Sequence, residues 1–279
     1  MYKFYKYHGA GNDFLLADNR SGAVTLTPER IRHLCARHTG FGADGVMLLE
    51  NSDSSAFRMV FYNPDGSGGM MCGNGGRCIV AFAADLGIVS RGNPVFFEAP
   101  DGLHQAEMLP SEHTGRTIRL KMRDVSGIEY FPEDNACFLD TGTRHLVKFV
   151  SGLGEYPVIE EGRALRSDRR FAPVGTNVNF VEPVPEDGDV ILDIRTFEKG
   201  VEDETLACGT GIVASAVAAY SQGLAGRECP DGRVFCAVKA AIASLSVDFV
   251  PECAGSGLSV RDVWLTGPAD FVGTVEIML

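Results

Sequence analysis

Short apolar-rich segments bounded by turn residues run along most of this chain and predict more strands than helices. In the first half, strands are predicted at residues 2–7, 13–17, 46–49, 57–62, 95–99 and 103–109. In the second half, they are predicted at residues 136–140, 146–150, 178–182, 190–197, 243–249, 258–265 and 271–277.

Helix signals are fewer and recur in the same order in both halves. Thr27-Pro28-Glu29 combines a cap, a first-turn proline and a first-turn acid, which predicts a helix to about His38. Another helix is predicted over residues 158–169. Two Ala-rich apolar segments predict one further helix after Cys72 and one after Cys208.

These last two helices follow nearly identical turns. Met71–Gly75 reads Met-Cys-Gly-Asn-Gly, and Ala207–Gly211 reads Ala-Cys-Gly-Thr-Gly, 136 positions later. Weaker matches precede them in the same order, with offsets that drift slowly from 131 to 136. Such drift is what a duplication with small insertions produces.

The predicted fold is therefore α/β of the α+β type, with two pseudo-symmetric domains from an internal duplication. Each domain is expected to be a mainly antiparallel or mixed sheet around a central helix, with the active site in the cleft between the two. The last strand is expected to return to the sheet of the first half. The predicted domains are 1–115 plus 268–279, and 116–267.

Charge and composition exclude several classes of function. The formal net charge is −12, with 25 basic and 37 acidic side chains, which argues against a nucleic-acid or anionic-membrane partner. No apolar run approaches the length of a membrane helix, and the N-terminus lacks the core of a signal peptide. We expect a cytoplasmic protein with reduced cysteines.

The spacing of metal-ligating residues does not favour a metal site. No pair among the eight cysteines has Cys-x-x-Cys spacing, and His33 and His38 do not share a helix face. No lysine lies in a recognisable pyridoxal-phosphate context. We therefore expect neither a metal nor a cofactor.

The two Cys-Gly-x-Gly turns favour proton transfer by thiols. A helix N-terminus stabilises a thiolate, and its N–H groups can stabilise negative charge developing on a substrate. A thiolate on one face of a carbon and a thiol on the other can remove one proton and deliver another. The stereocentre is then inverted without a cofactor.

Three motifs carry a resemblance to a known family. Residues 71–78, 204–211 and 8–14, which reads His-Gly-Ala-Gly-Asn-Asp-Phe, resemble diaminopimelate epimerase in order and spacing. The resemblance implies a cofactor-independent two-base epimerase that interconverts LL- and meso-2,6-diaminopimelate for lysine and peptidoglycan synthesis. It implies a small amino-acid substrate, and it leaves the oligomeric state open, with a homodimer among the expectations.

The resemblance also implies the site residues. Cys72 and Cys208 would be the acid/base pair, with His145 and Glu198 supporting the chemistry. Substrate binding would fall to Asn12, Asn63, Gly73, Asn74, Asn177, Glu198, Lys199, Gly209 and Thr210.

Two departures from the family pattern concern the distal end of the substrate. Gly142-Thr143-Arg144-His145 stands where the family commonly has Gly-Asn-Pro-His, and Glu198-Lys199-Gly200 where it has Glu-Arg-Gly. The second exchange replaces a bidentate fork by a point charge, and Arg144 is a candidate to supply part of the lost function.

Three other interpretations remain. A proline or hydroxyproline racemase shares Cys-Gly-Thr-Gly but commonly carries His where Asn74 stands. A noncatalytic ligand-binding or redox-sensing protein would have no use for both cysteines. Gly209–Ala214 also fits the dinucleotide pattern Gly-x-Gly-x-x-Ala, but it follows a polar turn instead of a strand.

Overall fold

The computed structural model describes residues 1–111, 115–254 and 257–278. The chain forms two compact units. Unit 1 is Met1–Leu120 with Gly267–Leu279, and unit 2 is Lys121–Thr266.

Unit 1 begins with a two-stranded antiparallel hairpin and continues through paired strands. Its strands are β1 (Tyr2–Gly9), β2 (Asn12–Asp18), β3 (Val46–Glu50), β4 (Phe57–Tyr62), β5 (Val95–Ala99), β6 (Gly102–Leu109) and β7 (Arg116–Lys121). Its helices are α1 (Pro28–Cys35) and α2 (Gly73–Asp85).

Unit 2 follows the same order of elements. Its strands are β8 (Glu129–Phe131), β9 (Ala136–Asp140), β10 (Arg144–Phe149), β11 (Asn177–Glu186), β12 (Asp189–Glu198), β13 (Asp203–Thr205), β14 (Arg227–Glu228), β15 (Val234–Ala240) and β16 (Ala243–Ala254). Its helices are α3 (Val158–Arg166) and α4 (Gly209–Ser221), and the long strand β17 (Gly257–Ile277) follows β16.

The pairing of the strands repeats between the two units and confirms the predicted mixed α/β fold with an internal duplication. In unit 1, β1–β2 is antiparallel, β2–β3 parallel, β3–β4 antiparallel, β4–β5 parallel and β5–β6 antiparallel. In unit 2, β9–β10, β10–β11, β11–β12, β12–β15 and β15–β16 show the same alternation. Helices α1 and α3 occupy equivalent crossovers, as do α2 and α4.

Burial explains why α2 and α4 are the central elements of their units. Both are apolar around nearly their whole circumference, and almost all of their residues are buried. A helix with no polar face must be covered on every side. Accordingly, α2 packs on β1, β2 and β3, and α4 packs on strands from β9 to β16.

The last strand follows the course that the sequence predicts. Its first part pairs antiparallel with β16, and its end pairs antiparallel with β1, from Asp270 opposite His8 to Ile277 opposite Tyr2. The sequence predicts two separate strands here, at residues 258–265 and 271–277. Pro268 instead lies within one continuous strand, between the β16 register, which ends at Thr266, and the β1 register, which begins at Asp270.

Helices α1 and α3 end earlier than predicted, and strands β7, β8, β13, β14 and β15 were not predicted. Helix α1 ends at Cys35 because the chain reverses there, with Phe41 N donating to Leu34 O at 3.0 Å and His38 at a φ of 73°. Helix α3 ends at Arg166 because Asp168 begins a new turn, accepting from Arg170 N at 2.9 Å.

Candidate active site

Cys72 is the N-cap of α2. Its backbone is extended (φ −113°, ψ 153°), and its Sγ accepts a hydrogen bond from Gly75 N at 3.2 Å. A Cβ on Gly75 would lie only 3.2 Å from that sulfur, so a glycine here lets the turn close tightly over the thiol. The sulfur therefore lies where helix N–H groups stabilise negative charge.

Cys208 is the N-cap of α4 in the second unit. Its backbone is also extended (φ −114°, ψ 108°), and the residue is 8% exposed. Its Sγ lies 3.5 Å from Oγ1 of Thr210 in the first turn of the helix. The same backbone scaffold thus places a thiol at the start of the central helix in both units.

A hydrogen-bond network centred on the buried His145 leads away from Cys208. Nε2 of His145 lies 3.0 Å from Thr210 Oγ1 and 2.9 Å from Thr143 Oγ1, and the two hydroxyls are 3.1 Å apart. On the opposite side of the ring, Asn179 Nδ2 lies 3.0 Å from Nδ1 of His145. Thr210 therefore connects the imidazole to the thiol.

The imidazole in this network is neutral. His145 has no exposed surface, and burial lowers the pKa of its imidazole from 6.5 to about 3. The Oδ1 of Asn179 accepts from Thr196 Oγ1 at 3.0 Å, which leaves its Nδ2 as the donor to the ring. Nδ1 is consequently the acceptor, and the ring proton lies on Nε2, facing the two threonines.

Asn177 links the strand that carries His145 to the turn after Glu198. Its Nδ2 donates to Arg144 O at 3.0 Å, and its Oδ1 accepts from Lys199 N at 2.9 Å. Glu198 Oε2 accepts from Thr205 Oγ1 at 3.0 Å. These residues share the end of the β10–β11–β12 sheet because β10 and β11 run parallel.

The two cations that depart from the family pattern lie close to backbone carbonyls. Arg144 Nη1 donates to Phe171 O at 3.4 Å, and its guanidinium lies over the ring of Phe138, 5.9 Å from the centroid. Lys199 Nζ donates to Val174 O at 3.2 Å on the exposed surface. Thr143, which replaces the family's amide, bonds to His145.

In unit 1, two of the predicted amide residues lie together. Asn74 Nδ2 donates to Asn12 Oδ1 at 3.3 Å, and Asn12 Nδ2 donates to Asp44 Oδ2 at 2.7 Å. Asp44 therefore fixes which end of the Asn12 amide faces Asn74. Asn63 follows β4, in a turn where its Nδ2 donates to Ser67 Oγ at 3.0 Å.

Four residues in or near these networks, Asn179, Asp44, Thr143 and Arg77, are not among the site residues predicted from the sequence. Asn179 could have been found, because it lies two positions after Asn177 on a strand and so shares a sheet face with it. Asp44 carries no such signal, since its contact with Asn12 spans 32 positions along the chain. Thr143 was noted only as a departure from the family pattern, and its contact with Thr210 spans 67 positions. Arg77 lies in the first motif and was interpreted only as part of the family pattern.

The buried cysteines outside the two turns are held neutral. Burial raises the pKa of the Cys35 thiol to about 11 and that of Cys236 to about 12, and it also raises the pKa of Cys78 and of Cys137. These thiols behave as small hydrophobic side chains.

Within the described parts of the chain, no cluster of three or more His, Cys, Asp or Glu side chains is arranged to hold a metal ion. No helix in those parts is long and apolar enough to cross a membrane. A cavity of about 620 Å³ beside α3 is lined by Tyr156, Ile159, Arg163 and their neighbours, and it includes none of the predicted site residues.

Comparison with known proteins identifies the family. The model of the family "Diaminopimelate epimerase" matches residues 4–126 and 137–247. The chain is 40% identical to the diaminopimelate epimerase of Flavobacterium psychrophilum, over 97% of this chain and 98% of that protein. It is 46% identical to that of Chlorobaculum tepidum, over 77% of this chain and 82% of that protein.

Solved structures support the fold alone, because their sequences are distant. A Bacillus anthracis protein of the PhzF family has a TM-score of 0.74 at 15% identity, covering 100% of this chain and 99% of its own. A probable proline racemase from Agrobacterium radiobacter has a TM-score of 0.70 at 16% identity, and the match covers 100% of this chain and 93% of that one. With the family model matching most of the chain and relatives aligned along nearly its full length, this protein belongs to the diaminopimelate epimerase family.

Proposed function

We propose that this protein interconverts LL- and meso-2,6-diaminopimelate by a cofactor-independent two-base reaction, as a step of lysine and peptidoglycan-precursor biosynthesis. Family membership supports the reaction class and the substrate. The observation that carries the proposal is the repeated placement of a cysteine, Cys72 and Cys208, at the N-cap of each central helix.

In the proposed reaction, the two thiols exchange roles. One cysteine, as the thiolate, takes the proton from the α-carbon, and the electron pair of the C–H bond remains on carbon. The other, as the thiol, delivers its proton to the opposite face of that carbon. The enzyme then has its charge on the second sulfur, so the reverse reaction uses the same pair with the roles exchanged.

The carbanion needs stabilisation as charge moves into the adjacent carboxylate. We assign this function to backbone N–H groups in the first turns of α2 and α4, including those of Gly73, Asn74, Gly209 and Thr210. Such donors stabilise negative charge most where it develops in the transition state. They are oriented in advance because both helices are buried.

Polar side chains supply the rest of the proposed substrate site. The amides of Asn12, Asn63 and Asn177 can both donate to a carboxylate and accept from an ammonium group. Glu198 offers a carboxylate to a substrate ammonium, and Lys199 offers a cation to the distal carboxylate.

We assign His145 a supporting role. As a neutral ring with its proton on Nε2, it donates toward Thr210 and so orients the hydroxyl next to Cys208. It does not need to titrate during the reaction. Its buried position fits a residue that holds the thiol's neighbour in place.

The test follows solvent deuterium into the substrate. Purified protein is incubated with LL-diaminopimelate in heavy water, and formation of the meso isomer is followed together with deuterium at the inverted carbon. Cys72→Ser and Cys208→Ser should each abolish epimerisation, whereas Cys229→Ser, a cysteine outside both turns, should retain it. Near-normal turnover by either active-site variant would contradict the two-base assignment, and exchange with proline instead would favour the racemase alternative.

We propose further that the protein acts as a cytoplasmic homodimer whose two epimerase halves are 1–115 with 268–279, and 116–267. Exposed apolar side chains on the last strand, Phe271 at 51% and Val272 at 57%, support a covered surface there. Light scattering should give about twice the chain mass of 30.0 kDa. A mass of one chain would contradict the dimer.

A further inference from the structure

Arg77 is a fully buried cation whose hydrogen bonds all go to uncharged groups. Its side chain has no exposed surface. Nε donates to Pro268 O at 3.2 Å, Nη1 to Gly73 O at 3.2 Å and Nη2 to Asn74 Oδ1 at 2.9 Å. No carboxylate among the described residues lies within ion-pair distance of its guanidinium.

A buried charge without a counter-ion is costly, so its presence calls for a physical reason. Burial lowers the pKa of Arg77, and the negative charge that Cys78 and Cys72 carry when ionised opposes that effect. Cys78 is itself held neutral by burial. Cys72 is therefore the neighbouring group whose negative charge can balance the guanidinium.

Two carboxylates on or beside α2, Asp13 and Asp85, are engaged by other groups. Asp13 on β2 forms an ion pair with Lys6 at 2.7 Å. Asp85 at the end of α2 bonds to Tyr7 and to Arg116. Asp270 on β17 faces Gly115, just before β7. Its negative charge, like that of Asp13, raises the pKa of the Cys78 thiol.

The second half of the duplication shows that a cation is not needed to pack this helix. Val213 lies 136 positions after Arg77, at the equivalent place in α4, and it is fully buried. A valine fills the position beneath Cys208. The guanidinium is thus specific to the helix that carries Cys72.

Arg77 also holds the side chain that follows the thiol. By accepting from Nη2, the Oδ1 of Asn74 is turned toward Arg77, which leaves Nδ2 facing Asn12. Gly9 permits this arrangement, because a Cβ there would lie 3.2 Å from Nη2 of Arg77 and 3.0 Å from Asn74 O.

We propose that Arg77 is a positioning residue that stabilises the thiolate of Cys72 from within the protein core and orients Asn74, which makes Cys72 the base of the resting enzyme. The inference rests on the proposed function for its catalytic meaning. It assigns different charge states to two cysteines whose turns are nearly identical in sequence.

The test measures the alkylation rate of each thiol separately and does not depend on catalytic turnover. Alkylation by iodoacetamide is measured from pH 5 to pH 10 by peptide mass spectrometry, with Cys72 and Cys208 quantified in the same sample. Arg77→Met should move the midpoint of the Cys72 alkylation profile to higher pH and slow alkylation at pH 7 about tenfold or more. The reason is that the thiolate fraction falls about tenfold when the thiol pKa rises by about one. Arg77→Lys, which keeps the charge, should restore most of the rate.

Several controls keep the result interpretable. Arg58→Met removes an exposed cation of the same unit and should leave the profile of Cys72 unchanged. If Arg77→Met does not fold, as judged by circular dichroism, Arg77→Gln removes the charge while retaining donors, and the same rise in the midpoint is expected.

An unchanged profile for Cys72, or equal slowing of Cys72 and Cys208, would overturn the proposal. If Arg77→Met raises the alkylation midpoint of Cys72 but the wild-type protein does not epimerise diaminopimelate, the effect of Arg77 on the thiol stands and the proposed function fails. The two failures are therefore distinguishable.

Discussion

Asn179 donates through Nδ2 to Nδ1 of His145, at 3.0 Å, in a site with no exposed surface. This contact leaves the ring proton on Nε2, which faces Thr210 and Thr143. The buried side of the network therefore sets the direction of hydrogen bonding next to Cys208. His145 acts through its neighbours and keeps one protonation state.

The first prediction concerns stability and pH. The pKa of His145 is about 3 in the folded chain and about 6.5 when unfolded, so between these values only the unfolded state binds the proton. Stability is fully present above pH 6.5 and is lost as the pH falls. Between pH 7 and pH 5, the free energy of unfolding should fall by about 2 kcal/mol more in the wild type than in His145→Gln.

Urea unfolding at both pH values measures this difference. His33→Gln, at an exposed histidine, serves as the control and should follow the wild type. Parallel loss of stability in the wild type and in His145→Gln would show that the imidazole is protonated in the folded chain.

The second prediction concerns the hydroxyl between His145 and Cys208. Thr210→Val keeps the shape of the side chain but removes the Oγ1 that lies 3.5 Å from the sulfur. A hydrogen bond to a charged group contributes about 1.5–3 kcal/mol, so kcat should fall about tenfold to a hundredfold. Thr210→Ser should retain most activity; equal loss in both variants would indicate that packing of the methyl group matters instead.

The third prediction concerns Asp44, which orients Asn12. Without the carboxylate that accepts at 2.7 Å, the Asn12 amide is able to turn, and Asn74 loses a fixed partner. Asp44→Ala should raise KM about tenfold with a smaller change in kcat. A tenfold loss of affinity corresponds to about 1.4 kcal/mol of binding free energy. Asp18→Ala, which removes a surface pair with Arg20, should leave KM unchanged. A loss confined to kcat would contradict a role in binding.

The fourth prediction concerns the contact between β1 and α2. A Cβ on Gly9 would meet Asn74 O at 3.0 Å and Arg77 Nη2 at 3.2 Å. Gly9→Ala should therefore lower the free energy of unfolding by about 1–3 kcal/mol, the usual cost of overpacking. Gly273→Ala lies in the strand paired with β1, where a Cβ meets nothing within 4 Å, and should be neutral. A neutral Gly9→Ala would mean that the start of α2 moves aside easily.

Local signals in the sequence predicted most elements of the fold. The cap at Thr27 located the start of α1, and the two Cys-Gly-x-Gly turns located α2 and α4 together with the duplication. Helix ends were less predictable, because the end of α1 depends on a contact from Phe41 back to Leu34. The continuity of β17 through Pro268 depends on its pairing with two different strands.

The candidate site was predictable where a motif repeats and not where it differs between halves. Nothing in the spacing of residues distinguishes Arg77 from an exposed helical arginine, since its burial depends on β1 and on the carbonyl of Pro268, 191 positions away. Likewise, the family resemblance implies a supporting role for His145 but not its protonation state. Its burial makes it a neutral donor, and the cation lies in the other unit.

The most direct test of the central claim is the isotope content of product and remaining substrate at early conversion in heavy water. If Cys72 and Cys208 act as two separate bases, the acid thiol carries solvent deuterium. The meso product should then be deuterated at the inverted carbon, while the recovered LL isomer retains its original hydrogen. Meso product that retains the substrate's own hydrogen would show that a single base moves the proton, and it would contradict the account.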